Sequence, residues 1–77
     1  MNERQFLNEC RIRLPDVEPD NSSRSYQHEI DDNWSYVVTQ FPEENGEPAF
    51  VEVRMRYHPK RRIAWATRTA DTDWVFQ

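Results

Sequence analysis

The hydrophobic positions of this chain change period once, and the change divides it into a helical and a stranded part. From Asn2 to Leu14 the spacing is helical. Phe6, Leu7, Cys10 and Leu14 fall within an arc of about 100° and form one apolar stripe, with Ile12 off it. Asn2 is placed to cap this helix, with Gln5 three positions on, as in a capping box. Glu3 in the first turn and Arg11 and Arg13 in the last all complement the helix dipole. Pro15 stops the helix.

From Ser25 the period is two, and each turn can be tested by the side-chain register it creates. Asp31-Asp32-Asn33 reads as a three-residue turn, with Asn33 suited to a left-handed position. Closing it sets Ile30 against Trp34, His28 against Tyr36, and Tyr26 against Val38. A two-residue loop would set Asp31 and Glu29 against Trp34 and Tyr36, and is rejected for that reason. Asn45-Gly46 is a type I′ signal that pairs Trp34 with Tyr57, Tyr36 with Met55, and Val38 with Val53. It also places Phe41 beside Phe50 on the reverse face. Pro42, Pro48 and the opposed Glu44 and Glu47 end the regular strands there, leaving a projecting acidic loop.

The third connection, His58-Pro59-Lys60-Arg61-Arg62, sets Tyr57 against Ile63, Met55 against Trp65, and Val53 against Thr67, with Glu52 opposite Arg68 behind. Val51, Val53, Met55, Tyr57, Ile63 and Trp65 then form the core side of this hairpin, and all three turns agree on one apolar face. On this reading Trp65→Ala should cost about 3–5 kcal/mol. Residues 15–24 read as a solvated linker rich in proline and acid. The tail Trp74-Val75-Phe76 is too apolar to be idle and suits a fifth strand, a plug or an interface segment. The expected architecture is a single α+β domain. A helix over about 2–14 packs on one face of a four-stranded antiparallel meander over about 25–69, with residues 74–77 as the optional fifth strand.

Composition alters this picture in one respect. Hydrophobic residues make up only 36% of the chain and mean hydropathy is −1.06, a balance that leans toward disorder, whereas 13% aromatics supply a small core. At 77 residues such a core is near the lower limit, so weak stability or a homodimer both fit. The single cysteine, Cys10, excludes an internal disulfide framework and a multi-cysteine metal site, and is expected to be a buried apolar residue. Without an apolar run for a signal peptide or membrane span, the chain reads as cytoplasmic.

Charge changes the picture more. The net value is −4, yet residues 14–52 hold ten acids and one base, while residues 53–70 hold six bases and no acid. Arg54 and Arg56 are expected on the reverse face and Lys60, Arg61 and Arg62 at the hairpin tip. With His58 and Arg68 they form a strip that can grip carboxylates or phosphates. Trp74 and Phe76 add apolar contact, and Arg and aromatic side chains dominate interface energetics. Asp31, Asp32, Glu43, Glu44 and Glu47 form a second, acidic candidate surface able to mimic phosphates toward a basic target.

Catalytic chemistry is not indicated. One glycine excludes a glycine-rich phosphate loop, and no Ser, His and Asp arrangement has recognisable spacing. Asp31-Asp32 and Asp71-Thr72-Asp73 are too few carboxylates for a calcium loop. His28 reads as a core-face histidine and His58 as an exposed turn residue, so neither cofactor nor metal is implied. The favoured reading is a non-enzymatic protein-binding module, an inhibitor or adaptor. In size and charge character alone, with no motif, the chain resembles phage-encoded inhibitors of host machinery such as anti-CRISPR proteins. The alternative is a weak nucleic-acid binder using the basic hairpin, although RRM and KH motifs are absent.

Overall fold

The alternation that begins near Ser25 resolves into five strands, preceded by one short helix. The computed structural model describes residues 3–10 and 14–77. Its elements are α1 (Glu3–Cys10), β1 (Arg24–Glu29), β2 (Trp34–Phe41), β3 (Phe50–Tyr57), β4 (Arg62–Thr69) and β5 (Val75–Phe76). The strands form one antiparallel sheet in chain order, so each lies beside its sequence neighbour. The architecture is α+β, and the apolar tail supplies the fifth strand. Leu14 already lies outside the helix. The expectations for Asn2, Arg11, Ile12, Arg13 and the Cys10 side chain lie outside what the structure describes.

Two of the three registers are those the turns dictate. Tyr26 pairs with Val38 and His28 with Tyr36. Trp34 pairs with Tyr57, Tyr36 with Met55, Val38 with Val53, and Phe41 with Phe50. Asn45 (φ 50°) and Gly46 (φ 83°) carry the two positive φ angles that a type I′ turn requires. Glu44 and Glu47 face each other across it through two backbone hydrogen bonds of 3.1 and 2.8 Å. The first turn closes differently from expectation, because Asn33 is not left-handed. Instead the Asp31 carboxylate accepts from the backbone N–H of Asn33 at 2.7 Å and of Trp34 at 2.9 Å. That side-chain clasp does the work the left-handed residue was expected to do.

The third register is one residue away from expectation. Met55 pairs with Ala64, Val53 with Ala66, Arg54 with Trp65, and Val51 with Arg68. The cause is the connection. His58–Lys60 form one 3-10 turn with Pro59 in its first positions, and Arg61 adopts the left-handed conformation (φ 50°, ψ 37°). Its N–H then reaches the His58 carbonyl at 3.2 Å, closing the hairpin one residue early. A one-residue slip moves every β4 side chain to the opposite face. Ala64 and Ala66 therefore point into the core, while Ile63 and Trp65 point away and are 49% and 39% exposed. Trp65 is not a core residue.

The small inward residues of β4 make room for the helix. Phe6 of α1 is buried with Val38, Val51, Val53, Met55 and Ala64, and its ring lies 5.2 Å from that of Phe76. Each large side chain removed from water here contributes about 1.5–3 kcal/mol. Leu7, Leu14, Trp34, Tyr36 and Trp74 pack around this centre.

Residues 14–23 are not the solvated linker that their composition suggests. Val17 packs against the core, and Arg68 donates to the Val17 carbonyl at 3.5 Å. Gln40, only 3% exposed, donates to the Glu18 carbonyl at 3.0 Å and accepts from the Asp20 N–H at 3.3 Å. A buried amide must be satisfied, and the backbone of this segment satisfies it.

Candidate protein-binding face

The helix and the segment after it cover one face of the sheet. The other, outer face carries Phe41 and Ser35 of β2, Phe50, Glu52, Arg54 and Arg56 of β3, Ile63 and Trp65 of β4, and Val75 of β5. This follows from the pairings of alternate residues. Among the described residues, no α-helix lies over it. Ile63, Trp65 and Val75 are three of the four large hydrophobic side chains exposed among the described residues, Val75 at 51%.

Arg54 is held over this apolar row from two sides. Its Nε donates to Glu52 at 2.7 Å, and its guanidinium carbon stands 5.8 Å from the Trp65 ring centroid. A cation at that distance from an indole face is attracted by the ring quadrupole. Arg56 is the next outward residue of β3 and makes no ion pair among the described residues; its Nε is buried without a hydrogen-bond partner. Phe41 and Phe50 stack at 4.4 Å toward the other end of the sheet.

The rest of the predicted basic strip divides. Ser35 is fully buried, and its hydroxyl lies 3.0 Å from His58 Nε2. The His58 N–H donates to the Asn33 carbonyl at 2.9 Å, which ties the β3–β4 turn to the β1–β2 turn. Lys60 and Arg61 are exposed at the tip, and Arg62 is exposed beside them on the helix-covered side. Arg68 does not share a face with Arg54 and Arg56, because the slipped register turns it toward the helix side. There its guanidinium carbon lies 5.6 Å from the Trp74 ring centroid, and its Nε is buried without a partner. Trp74 and Phe76 also point inward and pack against the core.

The acidic candidates separate too. Asp31 and Asp32 sit in the β1–β2 turn, next to the basic tip, whereas Glu43, Glu44 and Glu47 are in the β2–β3 loop at the opposite end of the strands. They do not make one surface. Asp31 is also committed to its own turn. The expected core histidine, His28, lies on the helix side of the edge strand but is exposed, its ring tilted by 33° against that of Tyr36 at 5.0 Å.

Arg54, Arg56, Lys60 and Arg61 thus remain at or near one surface, and Trp65, Ile63 and Val75 join them. Sequence reasoning placed Ile63 and Trp65 in the core because β4 alternates apolar residues on both faces. The usable signal was the pair of alanines, small enough to sit beneath a helix. Among the described residues no helix is long and apolar enough to cross a membrane, and no group of three or more metal-ligating side chains gathers. No protein family, curated protein or solved structure matches this chain.

Proposed function

We propose that this chain is a non-enzymatic protein-binding module, acting as an inhibitor or adaptor, and that its outer face is the contact surface. The observation that carries the reading is Trp65, 39% exposed and accompanied by Arg54, on a face where Ile63 and Val75 are also bare. Clustered Trp and Arg are the side chains that concentrate binding energy at protein interfaces. Apolar side chains exposed together on an uncovered sheet face also mark contact surfaces more often than scattered ones do. The partner this face fits presents an apolar patch rimmed by carboxylates, which Arg56 and the Lys60–Arg61 tip would pair.

The test is affinity capture from the source organism's lysate with the parent, Trp65→Ala, Arg54→Glu/Arg56→Glu, and Glu44→Lys as a control at the far end. The expected result is one dominant partner, lost with the first two variants and kept with the third. Capture unchanged by both outer-face variants overturns the reading. Loss of a labelled single-stranded oligonucleotide's binding in Trp65→Ala, with no protein captured by the parent, would instead assign the face to nucleic acid. There bases would stack on the indole and phosphates would pair with the arginines.

A further inference from the structure

The two edges of the sheet are built differently. One is β5, two residues long and followed by Gln77, whose N–H bonds to the Trp65 carbonyl. Such a short strand blunts an edge. The other edge is β1, six residues long, with every residue exposed. It contains no proline and no lysine, and its pairing with β2 runs unbroken from Arg24↔Gln40 to Glu29↔Ser35, so no bulge twists it away. Short length, lysine, proline and a bulge, four of the devices that protect an edge, are missing from it, and its charged residues, Arg24 and Glu29, stand only at its two ends.

Which backbone groups that edge offers follows from the ladder. Ile30 N–H donates to the Trp34 carbonyl at 3.0 Å, which makes Ile30 and Trp34 a hydrogen-bonded pair. Hydrogen-bonded and non-hydrogen-bonded pairs alternate in an antiparallel ladder. Arg24, Tyr26 and His28 therefore turn their N–H and C=O groups toward β2. Ser25, Gln27 and Glu29 turn theirs outward.

We propose that β1 pairs antiparallel with β1 of a second copy of this chain, with Gln27 on the two-fold axis. In this register Gln27 faces Gln27 of the second copy and Ser25 faces its Glu29. All three outward residues of each copy are used, giving about six main-chain hydrogen bonds. Shifting by one step, to put Tyr26 on the axis, leaves both Glu29 residues out and makes about four. The side chains fit the same register. Tyr26 stands opposite His28 of the second copy, adding a ring to the tilted His28–Tyr36 pair at the junction. Arg24 meets Ile30, and the Ser25 hydroxyl can donate to the Glu29 carboxylate, which within its own strand already accepts from the Gln27 amide. No like charges oppose one another. A two-fold axis of this kind is self-complementary and closes on a dimer. It also joins two five-stranded sheets edge to edge, so both outer faces lie on one side of a continuous surface.

This pairing does not depend on the outer face binding anything. It is tested by sedimentation equilibrium over a concentration series, with circular dichroism of each variant. The parent should tend to twice the 9.4 kDa chain mass. Gln27→Pro removes an N–H that points away from β2, a place where a strand tolerates proline, and should leave a folded monomer. Ser25→Lys, facing Glu29 twice per dimer, should tighten association by roughly fivefold, and Ser25→Glu should weaken it by a similar factor. A parent that stays monomeric throughout, a Gln27→Pro protein that still dimerises, or two Ser25 variants that shift association in the same direction would each overturn the proposal.

Discussion

The two faces of β4 are made of adjacent residues and have opposite characters. Toward the helix lie Ala64 and Ala66, the smallest side chains available to a core. Toward solvent lie Ile63 and Trp65, large enough to have filled one. Burial by size alone would predict the reverse. The helix explains the inward pair, because α1 and β5 bring Phe6 and Phe76 into the volume beneath the strand. Core packing does not explain the outward pair. A strand that spends its small residues on stability and its large ones on the exterior suggests that the exterior has a use.

The contrast can be broken by measurement, most severely at Phe6. Its truncation to Ala leaves a cavity against five buried neighbours and should cost about 3–5 kcal/mol in urea unfolding. In a domain of this size that approaches the whole stability. Enlarging the inward side should hurt next: Ala66→Leu overpacks a site with no exposed surface and should cost about 1–3 kcal/mol by the same assay. Trp65→Ala, on the outward side, should cost under about 1 kcal/mol, chiefly its attraction to Arg54. A Trp65→Ala melt as damaged as that of Phe6→Ala would erase the distinction between the faces.

The smallest effect lies outside the strand and calibrates the rest. The Ser22 hydroxyl bonded to Asp20, aided by the Arg24 guanidinium, holds the Asp20 carboxyl below its ordinary value. A depressed folded pKa means that this contribution is complete above the unfolded value, about 3.9, and is lost as pH falls through the folded one. Asp20→Asn should therefore slightly flatten the acid limb of the stability curve below that value. The Asp20 carboxyl resonance should titrate lower in the folded protein than in the unfolded one. An unshifted midpoint would show that the Ser22–Asp20 bond, and with it the Arg24 contact, is not held in solution.

Much of the fold was legible because turns and alternation constrain each other. Asn45-Gly46 admits essentially one hairpin geometry, and the wrong loop length at Asp31–Asn33 would have buried carboxylates. At the third turn that discipline failed. Both registers of β4 bury apolar side chains, so alternation could not choose, and the choice fell to Arg61 taking a left-handed conformation that arginine seldom announces. The error put Trp65 and Ile63 in the core and Arg68 on the outer face, and so kept two of the exposed apolar residues out of the candidate site. Residues 15–24 misled for a different reason. Their side chains are polar, but it is their backbone that Gln40 and Arg68 require, and backbone carries no signature in composition.

The placement of Trp65 has one more consequence, an optical one. Of the three tryptophans, Trp34 and Trp74 pack beside the core, whereas Trp65 stands on the bare face. Its emission should be the reddest of the three and the most accessible to iodide. A ligand settling on the outer face would shift that component to the blue and shield it, while Trp65→Phe would bind in spectroscopic silence. The residue nominated to anchor a partner is thus also an intrinsic probe of its arrival.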